Sequence, residues 1–133
     1  MRTLVVLSMV GCFIAAGASV EAKPWGTPLP GYQCMMLNIT EQQSMDTSFH
    51  VWAQAAPSAK APRVGWVGAV VPVRSPEHTV NGFAEGLFPT GRTVWISANM
   101  LRPYKNASDP NARCAIERRP DGRIGTYDPA KGP

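Results

Sequence analysis

The side chains that could do chemistry are few and widely spaced. Three cysteines (Cys12, Cys34, Cys114), two histidines (His50, His78) and nine acidic residues are spread over 133 positions. No cysteines or histidines stand at the C-x-x-C or H-x-x-x-H spacing that a metal centre uses, so no metal ligands are expected. A nucleophilic cysteine would need His50 or His78 as its base, and no local motif brings either one to Cys34 or Cys114. Carboxylate catalysis needs two acids held across a cleft. Glu77 and Glu85 are the best pair, but one falls in a polar loop and the other points outward from an expected strand, so both read as surface. Gly65-Trp66-Val67-Gly68 is too short for a phosphate-binding loop and lacks its lysine. The expectation is a non-enzyme with no catalytic residue, metal or cofactor.

The N-terminus explains much of the remaining pattern. Arg2, the apolar stretch Leu4 to Ala18, and the small residues Val20 and Ala22 around Glu21 read as a cleavable secretory signal over 1–22. The apolar run is shorter than the roughly twenty residues of a bilayer span, so no stable membrane span is expected after processing. Cys12 after Val10-Gly11 faintly resembles a lipidation site, but Phe13 to Ala16 carry the apolar run past it. Without the signal, 111 residues remain, with 12 basic and 8 acidic side chains, enough for one modest domain. That mild positive balance falls short of the clustered Lys/Arg stripe of a nucleic-acid binder. Cys34 and Cys114 then form an even pair in a chain bound for the periplasm or the exterior, where one disulfide is expected. It would close a loop of about 80 residues, stabilising the fold by on the order of 4 kcal/mol in the chain-entropy picture.

The elements that must position the remaining side chains are short. Lys23 to Gly31 is an extended lead-in interrupted by proline and glycine. Tyr32 to Ile39 suits a short strand or a helical turn, and Thr40 to Ser48 could run on as a helix. Ser48 to Gln54, Arg63 to Val73, Val80 to Phe88 and Arg92 to Ser97 read as strands, with a Gly91 turn joining the last two into a hairpin. Ala98 to Leu101 suits a single 3₁₀ turn. Cys114 to Glu117 and Arg123 to Tyr127 pair naturally around Pro120-Asp121-Gly122. With no repeat and no long helical period, the pattern predicts an all-β fold, several short strands curled into a small barrel.

Three stretches look familiar. Val51-Trp52-Ala53-Gln54-Ala55-Ala56-Pro57-Ser58, Val64 to Val73 with Gly65 and Gly68 at a bend, and Asn81 to Leu87 followed by Thr90 to Leu101 together resemble the bacterial Src homology 3 family. The likeness covers about half of the mature chain. It departs at Gln54, where the family usually has arginine, at Phe83, where it has tryptophan, and at Val94, where it has glycine. The resemblance implies a Src homology 3-like barrel of about five to seven short strands over 48–104. Irregular extensions at 23–47 and 105–133 flank it, each carries one cysteine, and the two are expected to lie against each other.

Aromatic surface is then the main functional resource. Trp52, Trp66, Phe83, Trp95 and Tyr104 fall on or beside strands, and a small barrel cannot bury them all. Trp95 is the ring best suited to the core. The resemblance implies a groove formed by Trp52, Trp66, Phe83, Tyr104 and Arg102, with Arg92 and Glu85 at its rim, that takes a peptide, an envelope protein or peptidoglycan. Two further classes are a structural or inhibitory envelope protein acting through its basic C-terminal end (Arg113, Arg118, Arg119, Arg123) and a small cell-wall hydrolase, for which the chain leaves no room for a second domain. Asn38-Ile39-Thr40 and Asn106-Ala107-Ser108 match the glycosylation acceptor pattern and, given the bacterial resemblance, read as accidental.

Overall fold

The computed structural model describes residues 26–131, and the expected signal at 1–22 lies outside them. The described chain is all-β with antiparallel ladders. In order come β1 (Thr27–Pro28), β2 (Tyr32–Leu37), a one-turn helix α1 (Glu41–Met45), β3 (Trp52–Gln54), β4 (Arg63–Trp66), β5 (Val70–Arg74), β6 (Thr79–Val80), β7 (Phe83–Leu87) and β8 (Thr93–Ser97). A 3₁₀ turn (Ala98–Met100) leads into β9 (Leu101–Pro103), and β10 (Ala115–Arg118) and β11 (Ile124–Tyr127) follow.

Period-two alternation sets the strand faces. In β8, Val94 and Ile96 are fully buried while Trp95 points outward; in β5, Val71 and Val73 point in, and in β3 only Ala53 does. These residues, with Ala84, Met35, Leu37 and Leu101, form the main core. The β6–β7 hairpin turns at Asn81 and Gly82, whose φ angles of 51° and 79° suit the two left-handed positions of a tight primed turn. Thr40 caps α1 in a reciprocal box with Gln43, the N–H of each accepted by the side chain of the other.

The ladders assemble two sheets. The larger runs β4-β3-β8-β7-β5-β2-β9, with β6 also on β7; the smaller is β1-β10-β11. Among the described residues there are therefore eleven strands in place of the expected five to seven, and the ladder order leaves β4 and β9 as the ends of the larger sheet. Much of the increase comes from outside 48–104. Strand β2, from the segment expected to be an extension, pairs with β5 on one side and β9 on the other, because its alternating apolar residues complete the core.

The described parts of the two flanking segments, 26–47 and 105–131, do meet. β1 pairs with β10 through Thr27 opposite Arg118, and the Leu29 N–H donates to the Ile116 carbonyl at 2.9 Å. A Cys34–Cys114 disulfide ties β2 to the segment entering β10. Around it Leu87, Ile116 and Ile124 form a second apolar cluster between the sheets, against which Tyr32, Val70 and Tyr104 pack.

Candidate functional site: a groove around the β4–β5 bend

The groove starts from a register. Met36 lies opposite Arg102 in the β2–β9 ladder and opposite Val70 in the β2–β5 ladder. Leu37 and Leu101 alternate into the core, which leaves Met36 and Arg102 side by side on the other face. The Arg102 Nε–H donates to the Leu37 carbonyl at 3.2 Å, and the guanidinium has no other partner among the described residues. Arginine held by one of its five donors keeps a planar fork free for a carboxylate or a peptide carbonyl. The Lys105 N–H points at Met36 Sδ at 3.2 Å, which fixes the chain leaving β9 over the thioether.

Three cavities adjoin here. One of about 320 Å³ is lined by Met36, Leu37, Ile39, Thr40, Glu41, Ser44, Ala69 and Arg102. The next, about 490 Å³, shares Met36 and Arg102 and adds Val70, Tyr104, Lys105, Asn106 and Ala107. A third, about 280 Å³, shares Val70 and lies between the sheets against Trp66, Pro72, Phe88, Pro89, Arg119 and Thr126. The bend residues Gly68, Ala69 and Val70 border the series. The result is an apolar floor with Glu41 at one end and Arg102 and Lys105 in the middle. Such a surface matches an extended chain better than a compact metabolite.

Three of the five expected groove residues, Trp66, Tyr104 and Arg102, line this series; Trp52 and Phe83 do not. Trp52 faces Trp66 across the β3–β4 ladder, with ring centroids 6.0 Å apart. Phe83 is half-buried at the head of β7, opposite Val80 and Ser97. The Asn81-Gly82 turn breaks the strand run expected over 80–88 after Val80, folds β6 back onto β7 and leaves Phe83 as the first residue of β7. Nor does Arg92 line any of the three cavities.

Two other expectations change. Trp95 is half-buried on the outer face and not in the core, because its neighbours Val94 and Ile96 take the inner positions of β8. Glu85 is a partner in a network: its carboxylate, 18% exposed, lies 2.9 Å from His78 Nδ1 and 3.8 Å from Arg74 Nε. Arg74 sits over the Tyr32 ring, and His78 meets the edge of Trp95. A hydrogen bond with Tyr32, and then the charge of Glu85, raise the Arg74 pKa. An outer row thus runs across five strands from Gln54 through Trp95, Glu85 and Arg74 to Tyr32. From Trp95 to Tyr32 the row is tied together by contacts among its own side chains and His78, while the buried Gln54 Oε1 has no hydrogen-bond partner among the described residues.

The sequence reading missed Met36, Val70 and His50. Met36 and Val70 are ordinary strand residues whose meeting depends on β2 entering the sheet. His50 lies flat against Trp66, centroids 4.1 Å apart with planes 12° off parallel. Its place just before β3 and two residues from Trp52 was the available signal. Of the C-terminal arginines, Arg118 donates to the Gly122 carbonyl at 3.2 Å and Arg119 pairs with the otherwise buried Glu117 at 3.6 Å.

No group of three or more potential metal ligands occurs among the described residues, and no helix there is long and apolar enough to cross a membrane. No family model matches the chain, and no curated protein or solved structure matches it.

Proposed function

We propose that this chain is an exported, non-enzymatic binding module of the Src homology 3 type that holds an extended peptide in the groove around the β4–β5 bend. The peptide stem of peptidoglycan or a segment of an envelope protein would supply such a ligand. The observation that carries the reading is Arg102: one donor is fixed on the Leu37 carbonyl, and the side chain borders two adjoining apolar cavities with Met36. Peptide backbone carbonyls or a terminal carboxylate would take the free donors, while Met36, Val70 and Tyr104 receive apolar side chains. The disulfide and the second core cluster keep the groove walls in place before any ligand arrives, which limits the ordering cost of binding.

The test is an NMR titration of the oxidised protein with the stem peptide released from its glycan. Shifts centred on Met36, Val70, Arg102 and Tyr104, lost in an Arg102→Ser, Tyr104→Ala double variant that keeps the native spectrum elsewhere, would support the reading. Shifts confined to Arg113, Arg118, Arg119 and Arg123 would replace it with contact through the C-terminal end.

A further inference from the structure

We propose that the exposed ring cluster of the β3–β4 hairpin is a second binding site, for a glycan carrying an acidic sugar, with Trp66 as the stacking surface and Arg63 as the carboxylate partner. Trp66 also borders the third cavity, so the two sites adjoin at this ring; the proposal does not rest on peptide binding around Arg102 and Tyr104.

Ring geometry is the first ground. His50 stacks on one face of Trp66 at 4.1 Å, while Trp52 is 6.0 Å from both centroids and steeply inclined to both planes. A ring covering the second face of Trp66 would lie much farther from His50 than from Trp66. Trp52 therefore flanks the pair, no ring among the described residues stacks on the second face of Trp66, and the residue is 58% exposed. His50 backs the indole and holds its plane, so the surface is formed before a ligand binds. Leaving that much aromatic area exposed to water forgoes the free energy that covering it with a partner would release.

Charge selects the partner. The Arg63 guanidinium lies 4.8 Å over Trp52 and has no carboxylate partner among the described residues. The carboxylate whose charge reaches His50, that of Asp46, is itself held by the Ser48 N–H and O–H at 2.9 and 2.6 Å. A cationic ligand would be repelled by Arg63. A pyranose ring would lay its C–H face on the open indole and turn a ring carboxylate towards the guanidinium, a charge-assisted contact. Single-stranded nucleic acid is also anionic and stacks, but it needs successive ring platforms along a basic groove, whereas among the described residues this cluster offers the Trp66 face and, over the neighbouring Trp52, the Arg63 guanidinium.

The experiment follows tryptophan fluorescence of the oxidised protein on titration with tetragalacturonate and with neutral maltotetraose. Saturable binding of tetragalacturonate, several-fold tighter than maltotetraose at low salt and converging with it at high salt, is expected. Trp66→Ala should weaken both by about tenfold, Trp66→Phe should restore most of the loss, and Arg63→Ser should abolish only the acidic preference. The Arg102→Ser, Tyr104→Ala groove variant should bind as the native protein does. The proposal is overturned if neither sugar saturates, if Trp66→Ala binds unchanged, if the groove variant loses binding, or if oligothymidylate binds the same face more tightly than tetragalacturonate.

Discussion

Arg102 and Leu37 are joined across the β2–β9 ladder by a hydrogen bond from a side-chain Nε–H to a backbone carbonyl at 3.2 Å. That bond makes the guanidinium part of the groove wall and not a freely moving surface group. Lysine carries the same charge but cannot keep this bond and present a planar fork at once. Arg102→Lys is therefore expected to weaken peptide binding about tenfold, the scale of one lost charge-assisted hydrogen bond (~1.4 kcal/mol). Thermal stability should stay near native because the residue is exposed. Calorimetric titration beside a melting curve checks both; an unchanged affinity removes Arg102 from the site.

The disulfide is expected to dominate stability. It links residues 80 apart and connects the two sheets beside their shared apolar cluster. A Cys34→Ser, Cys114→Ser variant should lose about 3–4 kcal/mol, lowering Tm by roughly 15 °C or more for a domain of this size. Scanning calorimetry with and without reductant provides the measurement, and reductant should leave the variant unaffected.

Gly86 lies opposite Val73 where β7 pairs with β5. A Cβ there would come within 2.8 Å of the Pro72 carbonyl oxygen and 3.0 Å of Ile96 Cδ1. Backbone on one side and a fully buried side chain on the other leave little room to yield. Gly86→Ala should destabilise by about 1–3 kcal/mol, seen as a lower urea midpoint at unchanged slope.

Asp46 supplies the pH prediction. The Ser48 hydroxyl first, the Ser48 N–H second and the nearby His50 to a lesser degree hold its carboxyl below the usual aspartate range, against a small opposing effect of burial. With the folded pKa depressed, the contribution to stability is fully present above the unfolded-state pKa and is lost as pH falls through the folded one. Ser48→Ala removes the largest cause, so the Asp46 carboxyl should titrate at higher pH in a carbon-detected NMR series. An unchanged titration would show that the hydroxyl is not its partner.

Much of the fold is legible in the residues alone. The Val- and Trp-rich run Arg63 to Val73, the stretch Arg92 to Ser97, the Asp121-Gly122 step and the even cysteine pair point to strands, a closing hairpin and a covalent clip, and these are present, with the first run divided into β4 and β5 and Arg74 joining β5. These signals are local, or depend only on counting. What alternation cannot provide is the neighbour: it assigns Met36 and Trp95 to a face, not to a partner. Tertiary structure alone decided that β2 would lie between β5 and β9, which sets Met36 beside Arg102 and Val70. It also decided that Phe83 would leave the groove and that His50 would lie on Trp66. The physical reason is that strand pairing joins residues far apart in the chain, and which pairs form is settled by how the whole chain buries its apolar faces.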